Sequence, residues 1–344
     1  MTEFYTGDKL LSMKDINGEK PEIFISTSNR SAGKTTFFNK KVLSGFVKSG
    51  NKFMLIYRFK YELDDCAEKF FKDIGWLFFN GKSMSSKKKG KGVYHELYLD
   101  GESCGYAVSL NDADQIKKMS HLFSDVQVML FDEFQSESNH YTDNEVKKLI
   151  SIHTSVARGG GKNVRYVPLI MISNPVSLIN PYYTALGISN RLKADTKFLR
   201  GDGFVLEQGF NESASIAQRE SAFNRAFAQN EYVAYASQNV YLNDNTAFIQ
   251  KPESIGRYLV TLKYKGSEYA IREYQEEGIV YCDNRPDKSY PYKIAVTTED
   301  HNINYVMLKG SDFFLSQLRY YFDKGCFRFK DLKCKEAVLS ALSY

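Results

Sequence analysis

Two short segments restrict the fold of this chain more than any other feature of the sequence. Val126–Phe131 and Tyr166–Ser173 are apolar at nearly every position. A strand with one face in water alternates apolar and polar residues, whereas a continuous apolar run is typical of a strand covered on both faces. Similar runs at Glu22–Thr27 and Lys52–Arg58 alternate with amphipathic segments. This rhythm predicts an α/β domain with a mainly parallel sheet.

The pattern changes after Asn174, and 344 residues suit about two ordinary domains. We expect an α/β domain over residues 1–208, a compact helical linking element over 209–248 and a separate α+β domain over 249–344. The net charge of +5 permits a polyanionic partner without requiring one. Because no apolar run approaches the ~18 residues that cross a bilayer, we expect a soluble protein without a membrane partner.

The segment Ile25–Phe38, ISTSNRSAGKTTFF, predicts a strand, a glycine-containing turn and a helix. Backbone N–H groups and the positive end of the helix suit such a turn for a phosphate. The turn matches G-x-x-x-x-G-K-[ST] except that Ser28 replaces the first glycine. We predict an ATP site in which Lys34 contacts the β- and γ-phosphates and Thr35 binds Mg²⁺. The predicted nucleotide-binding residues of this turn are Ser28, Asn29, Arg30, Ser31, Ala32, Gly33, Lys34, Thr35 and Thr36.

Two acidic residues, Asp132 and Glu133, follow the apolar run Val126–Phe131. An aspartate at the carboxyl end of such a strand can hold hydrated Mg²⁺ in a P-loop NTPase. A glutamate next to it can polarise the attacking water as a general base. We therefore predict Asp132 as a metal ligand and Glu133 as a catalytic residue, with a solvent-exposed acidic pair as the alternative.

Four further residues could contribute to the same site. Ser173 and Asn174 end a buried strand where P-loop ATPases place a polar residue near the γ-phosphate, although Asn174–Pro175 also fits a plain turn. Arg158 opens a glycine run, from which it could reach a neighbouring subunit's nucleotide as an arginine finger. A basic surface loop is the alternative. Arg58 ends the second strand and fits either the phosphate side of the sheet or a solvated strand end.

Lysine tracts suggest contact with DNA phosphates. The first tract lies at the tip of a hairpin in a predicted β-meander and contains Lys87, Lys88, Lys89 and Lys91. A second cluster runs from Lys324 to Lys335. A solvated charged face explains the first cluster equally well and is the favoured interpretation of the second.

The order of these motifs resembles the DNA-packaging ATPases of small tailed phages with protein-primed genomes, the phi-29-like group. The likeness rests on SNRSAGKTT, VMLFDEF, SVARGGG and, most specifically, SNPVSLINPYY. The segment that begins GRYLVTLKYKG extends it over nearly the whole chain. The resemblance implies a P-loop ASCE-type ATPase domain, a small linker domain and a C-terminal domain of RNase H-like descent.

The resemblance also implies an activity and partners. It implies a homomeric ring, expected to be a pentamer, that uses ATP and Mg²⁺ to drive double-stranded DNA into an empty capsid. The portal and a structural RNA are the other implied partners. We expect the chain in the host cytoplasm and transiently at the portal vertex, and not in the mature virion. Lys34, Thr35, Asp132 and Glu133 inherit their roles from the family, and Arg158 aligns with its trans-acting finger.

Two alternative functions stay open. Large phage terminases cut DNA with clustered acids and two metal ions, and Asp283, Glu299 and Asp300 are the candidates in this chain. Since they form no convincing triad, we predict that nuclease activity is absent. The other alternative is an ATP-gated assembly factor that binds the portal or RNA without moving DNA.

Overall fold

The structure of the protein, a computed structural model, describes residues 5–138, 140–159, 163–178, 180–188, 191–192, 196–230, 233, 247–307 and 312–342. The chain forms two compact units. The first unit comprises Met1–Gln135, Glu145–Pro175 and Asp195–Val240. The second comprises Ser136–Asn144, Val176–Ala194 and Tyr241–Tyr344.

A nine-stranded sheet forms the centre of the first unit. Its strands are β1 (Ile23–Thr27), β2 (Lys52–Tyr57), β3 (Met84–Lys89), β4 (Tyr94–Leu99), β5 (Glu102–Ser109), β6 (Val126–Asp132), β7 (Leu169–Ser173), β8 (Phe198–Gly201) and β9 (Phe204–Gln208). They lie in the order β3-β4-β5-β2-β6-β7-β1-β9-β8. The six strands from β5 to β9 in this order are parallel, whereas β3, β4 and β8 pair antiparallel. The mainly parallel sheet predicted from the apolar runs is therefore confirmed.

The helices of both units follow the chain order. Helices α6, α9 and α10 belong to the second unit and the others to the first. The described helices are α1 (Asp8–Ser12), α2 (Lys34–Ser49), α3 (Glu62–Phe78), α4 (Ala113–Lys118), α5 (Glu145–Val156), α6 (Pro181–Ala185), α7 (Glu212–Glu220), α8 (Ala222–Ala226), α9 (Phe313–Asp323) and α10 (Leu332–Leu342). Short 3₁₀ helices cover Gly90–Gly92, Leu110–Asp112, Ser120–Phe123 and Thr298–Asp300. Among these helices, none is both long enough and apolar enough to cross a membrane.

Packing of α2 and α3 on the sheet fixes the helix that carries the predicted phosphate turn. Phe38 and Leu43 of α2 are fully buried in one cluster with Phe53 of β2. Helix α2 ends at Gly50, whose φ of 68° is the left-handed conformation that a glycine adopts readily after a helix. The helix that starts at the predicted phosphate turn is thus anchored along its length.

The predicted β-meander is part of the main sheet, since β3, β4 and β5 continue it beyond β2. Asp100 and Gly101 connect β4 to β5 with φ values of 52° and 83°. Positive φ at both central residues is the mark of a type I′ hairpin turn, which favours Asp-Gly. A second turn, in which Gly81 has a φ of 79°, lies between α3 and β3. At the other end of the sheet, β8 and β9 form a hairpin.

The second unit contains a five-stranded sheet. Its strands are β10 (Arg257–Tyr264), β11 (Ser267–Tyr274), β12 (Ile279–Asp283), β13 (Lys293–Ala295) and β14 (Phe327–Phe329). The order is β13-β10-β11-β12-β14. The strands β10, β11 and β12 are antiparallel, while β13 and β14 run parallel to β10 and β12. This is an α+β arrangement, and the RNase H-like descent of the unit stays a prediction.

The segment that most narrowed the resemblance, SNPVSLINPYY, contains the start of α6. Asn180 caps this helix, because its side-chain oxygen accepts hydrogen bonds from the N–H groups of Tyr182 (3.1 Å) and Tyr183 (3.0 Å). Ser177 accepts a hydrogen bond of 2.9 Å from the buried amine of Lys335 in α10. Lys335, which belongs to the second basic cluster considered for contact with DNA, is therefore buried inside the second unit.

The predicted linking element, 209–248, is described only in part. It begins with α7 and α8, which lie in the first unit. Most of its second half lies outside the described residues. The three-part division of the chain stays a prediction.

Candidate functional site

The predicted phosphate loop, Ser28–Thr35, joins the carboxyl end of β1 to the first turn of α2. Gly33 has a φ of 97° and precedes the helix, and Ser31 has a φ of 61°. A left-handed backbone costs little for glycine, but it is strained for serine. Of these two loop residues, Gly33 adopts the left-handed backbone readily, whereas the backbone of Ser31 is strained.

Lys34 is held by oxygen atoms of the loop itself. Its amine donates hydrogen bonds to Ser28 O (2.8 Å), Ser28 Oγ (2.9 Å) and Asn29 O (3.3 Å). Asn174 Oδ1 lies 3.4 Å from the same amine. The serine that replaces the first glycine of the pattern thus supplies two of the oxygen atoms that bind the lysine.

Burial disfavours the charged form of the Lys34 amine. It lowers the pKa of the Lys34 amine to about 8; the carboxylate of Asp132 opposes this shift and the charge of Arg30 adds to it. A phosphate beside the amine would favour the charged form, so that phosphate binding and proton uptake by Lys34 are coupled.

The side chains of Thr35, in the first turn of α2, and Asp132, at the end of β6, contact each other. Thr35 Oγ1 donates a hydrogen bond of 3.0 Å to Asp132 Oδ2. Burial raises the pKa of the Asp132 carboxyl to about 6, and the nearby charge of Glu133 adds to the shift. A hydroxyl and a carboxylate oxygen are hard ligands of the type that Mg²⁺ binds. The two predicted metal ligands are thus side by side, and their donor set fits Mg²⁺.

Glu133 has an exposed side chain and a strained backbone. Its φ is 54°, and its N–H donates to Asp132 Oδ1 at 2.8 Å. A cavity of about 110 Å³ lies beside Glu133, Asp132 and Thr35, and an ordered water needs only about 30 Å³. The space next to the predicted general base is large enough for an attacking water.

Arg58 fixes the backbone at this position, and it is not a solvated strand end. The side chain is buried, and its Nη2 donates to Glu133 O (3.0 Å) and Phe134 O (2.7 Å). Its Nε donates to Glu145 Oε2 (3.0 Å), and Glu145 is also buried. Removing one partner of a buried ion pair leaves an uncompensated charge, which is strongly destabilising. Sequence reasoning missed Glu145, since an acid in the first turn of a helix usually faces solvent.

The two residues predicted to lie near the γ-phosphate, Ser173 and Asn174, have different environments. Strand β7 lies between β1 and β6, and therefore Ser173 and Asn174 follow a strand between the phosphate loop and the two acids. Asn174 reaches Lys34, as described above. Ser173 is buried and donates its hydroxyl to Asn174 O at 2.9 Å. Asn174 is thus part of the site, and the buried hydroxyl of Ser173 holds the backbone of Asn174 by a hydrogen bond.

The other predicted loop residues make hydrogen bonds within the protein, and one of them, Ser31, is also exposed to solvent. Asn29 is buried and pairs with the backbone of Asn211. Ser31 Oγ accepts from Gln218, and Ala32 O accepts from the N–H of Tyr5 (2.9 Å). The two remaining residues are half-buried: Arg30 lies in the loop, and Thr36 lies in the first turn of α2.

Arg158 lies outside this cluster of contacts in its own chain. It pairs with Val164 in a short antiparallel bridge that follows α5, and its side chain is exposed. Residues 160–162 of the glycine run lie outside the described residues. An exposed arginine on a turn is the geometry that a finger toward another molecule needs, but its role stays a prediction.

Three of the four predicted DNA-binding lysines lie in edge strand β3, not at a hairpin tip. Lys88 pairs with Asp64 (2.8 Å), Lys89 pairs with Glu96 (3.8 Å), and Lys87 lies over a tyrosine ring. Lys91 alone lies in the exposed connection to β4. Surface ion pairs of this kind contribute little free energy, so these lysines stay available to a polyanion, and DNA binding stays a prediction.

The acidic residues considered for a nuclease are separately engaged. Asp283 accepts from Arg272 (2.7 Å), and Asp300 accepts from Gly266 N (2.9 Å) and Thr297 Oγ1 (2.7 Å). In the described part of the chain, no group of three or more His, Cys, Asp or Glu side chains could hold a metal ion. That the protein lacks nuclease activity stays a prediction.

Comparison with known proteins gives matches along almost the whole chain. A family model described as "Podovirus DNA encapsidation protein (Gp16)" matches residues 2–342. The DNA packaging protein of Bacillus phage phi29 is 25% identical over 330 residues, which cover 95% of this chain and 93% of the relative. The DNA packaging protein of Bacillus phage B103 is 26% identical over 304 residues, which cover 87% and 90%.

Solved structures share the fold. The bacteriophage Phi-29 viral genome packaging motor assembly aligns with a TM-score of 0.55 and 24% identity, and the alignment covers 96% of this chain and 95% of that chain. The Phi-28 gp11 DNA packaging motor aligns with a TM-score of 0.60 and 17% identity, covering 100% and 99%. These alignments extend over both compact units and show that the chain shares the fold of these two proteins.

We predict that Ser28 weakens ATP binding by competing for Lys34. In Ser28→Gly the amine loses one of its acceptors, and one hydrogen bond corresponds to about a fivefold change in affinity. ATP should therefore bind about fivefold more tightly, as measured by calorimetric titration. Ser28→Ala removes the same hydroxyl without adding backbone freedom and should change the affinity in the same direction. Unchanged affinity in both variants would refute competition by the hydroxyl.

We predict that divalent-metal binding depends on the proton of Asp132. A metal ligand must be deprotonated, and the pKa of Asp132 is raised to about 6. Affinity should therefore be constant above this pH and fall about tenfold for each pH unit below it. Mn²⁺ binding followed by electron paramagnetic resonance between pH 4.5 and 8 measures this. Asp132→Asn should remove the binding, whereas the exposed control Glu102→Gln should not.

Proposed function

The chain belongs to the podovirus DNA encapsidation protein family and therefore acts in DNA packaging, and we propose that it does so by hydrolysing ATP as the subunit of a motor. The observation that carries this proposal is the hydrogen bond of 3.0 Å between Thr35 and Asp132. It joins the phosphate loop to the acidic strand end, as the two halves of a Mg²⁺–ATP site require.

In this proposal the phosphates lie at the first turn of α2. The free N–H groups of a helix N-terminus and its partial positive charge favour an anion there. Lys34 exchanges oxygen atoms of Ser28 and Asn29 for those of the β- and γ-phosphates. Thr35 and Asp132 would hold Mg²⁺, which when bound neutralises charge on the phosphates.

Glu133 is the proposed general base. Its carboxylate is exposed next to the cavity beside Asp132, and Arg58 fixes its backbone from the buried side. A base that accepts the proton of the attacking water contributes about 10² to 10⁴ in rate. Asn174, which lies near Lys34, is placed to contact the γ-phosphate.

Assembly and partners are the less direct part of the proposal. We propose a homomeric ring, a pentamer, in which Arg158 acts on the nucleotide of the neighbouring subunit. The ring would engage double-stranded DNA, the portal and a structural RNA at the procapsid in the host cytoplasm, and would leave before the virion matures. Lys87, Lys88, Lys89 and Lys91 are the proposed DNA contacts, and the second unit is proposed to lack nuclease activity.

We predict that Glu133→Gln abolishes hydrolysis and preserves ATP binding. The amide cannot accept a proton from water, so turnover should fall by at least about 10²-fold, while the phosphate contacts are unaltered. Phosphate release and ATP titration measure the two properties separately. The exposed control Glu253→Gln should match wild type. Retained turnover in Glu133→Gln would favour an assembly factor that uses ATP in another way.

We predict that turnover per chain rises steeply with protein concentration, because Arg158 completes the site of another subunit. An arginine finger contributes about 10³ to 10⁵ in rate, so Arg158→Ala should remove this dependence. The assay compares both proteins with and without double-stranded DNA, and Arg257→Ala is the control for an exposed arginine. Turnover that is flat with concentration and indifferent to Arg158 would exclude the trans-acting finger.

A further inference from the structure

We infer that helix α7 contributes to the nucleotide site. It positions the phosphate loop, and its own conformational order changes when the loop binds a nucleotide. This inference rests on the proposed function, since it concerns the same site. Its support comes from the chain between β9 and α8, to which none of the predicted catalytic or binding residues belongs.

The segment that follows β9 runs beside the phosphate loop. β9 pairs in parallel with β1, and the pairing ends at Thr27 and Gln208. One residue later, the N–H of Gly209 donates to Thr27 O at 2.7 Å. A Cβ atom added at Gly209 would lie 3.5 Å from Cβ of Ser28. The two segments thus stay in contact beyond the end of the sheet.

The next contact is a reciprocal pair between a buried side chain and a backbone. Asn29 Nδ2 donates to Asn211 O at 3.0 Å, and the N–H of Asn211 donates to Asn29 Oδ1 at 2.8 Å. Asn29 is fully buried, and a buried amide that loses such partners costs free energy. The side chain of Asn211 also caps α7, accepting from the N–H of Ala214 at 2.8 Å. The start of α7 and the position of Asn29 are therefore fixed by the same residue.

A third contact links the strained part of the loop to the last turn of α7. Gln218 Nε2 donates to Ser31 Oγ at 2.8 Å, and Ser31 is the loop residue with a left-handed backbone. Strained conformations persist only where the surroundings hold them. Gln218 is itself fixed, because Asn224 Nδ2 donates to its backbone oxygen (2.7 Å) and its side-chain oxygen (3.1 Å). Helix α8 is thus tied to the same point.

These three contacts involve alternate residues of one stretch, Thr27, Asn29 and Ser31. They connect it to the segment that leads into α7, to the residue that caps α7 and to the last turn of α7 itself. The amine of Lys34 binds oxygen atoms of Ser28, which lies between two of these residues, and the backbone oxygen of Asn29, which is one of them. When Lys34 exchanges those oxygens for phosphate, the loop is rearranged between its anchors. By thermodynamic linkage, a change of α7 that follows nucleotide binding implies an equal effect of α7 on nucleotide affinity.

The test uses the full chain, a fluorescent non-hydrolysable ATP analogue and Gln218→Ala. We expect the analogue to bind about fivefold more weakly to the variant, the effect of one hydrogen bond, with no loss of thermal stability. Ser31→Ala should weaken binding similarly, and the double variant should be no worse than either single one, because all three lack the same bond. Gln229→Ala, an exposed glutamine beyond α8, is the matched control.

A second readout measures the helix directly. Hydrogen exchange of the amides of residues 212–220 should slow when the analogue binds to wild type, and this protection should be reduced in Gln218→Ala. A merely structural role for Gln218 would change exchange equally with and without the analogue. If Gln218→Ala fails to fold, Gln218→Met keeps the length of the side chain without its donor and replaces it in both measurements.

The outcomes separate this inference from the proposed function. Wild type that fails to bind the analogue would overturn the proposed function. Wild type that binds it, with unchanged affinity in the Gln218 variants and unchanged exchange in α7, would overturn only the role of α7.

Discussion

The parallel pairing of β1, β7 and β6 is the constraint on which the site depends. Thr27 of β1 lies opposite Ser173 of β7, and Asp132 of β6 lies opposite Ile172. All three strands therefore end at one edge of the sheet, where the phosphate loop, Asn174 and the acidic pair follow them. A slip of one residue in any pairing would turn its side chains to the other face. All five residues of β7 are buried, so a slip of this strand would also require the side chains on both of its faces to repack.

The charges at this edge are arranged for ligands of opposite sign. Burial lowers the pKa of Lys34 and raises that of Asp132, so that each group is less readily charged than in water. Phosphate and a divalent cation would reverse these two shifts, because each supplies the counter-charge that the buried group lacks. The Arg58–Glu145 pair beside them is already compensated and keeps its role as a support.

Local patterns in the sequence predicted the sheet, the loop and the acidic strand end, because each is encoded within about fifteen consecutive residues. The supports of the site could not be predicted. Arg58 and Glu145 are 87 residues apart, and Asn29 and Asn211 are 182 apart, with no motif to join them. The sequence predicts the lysines of β3 at a hairpin tip, whereas pairing with β4 places three of them inside a strand, although lysine is depleted in strands.

The position of β3 affects whether the sheet can pair with a strand of another molecule. It is the outermost strand on its side of the sheet, and in the described chain no further strand pairs with its outer edge. An open edge is a template for the sheet of another molecule. Another strand could add to this edge only by bringing its backbone against Lys87, Lys88 and Lys89 and displacing their water. Lysines on an edge strand oppose such pairing, so these three residues protect this edge of the sheet against the addition of another strand.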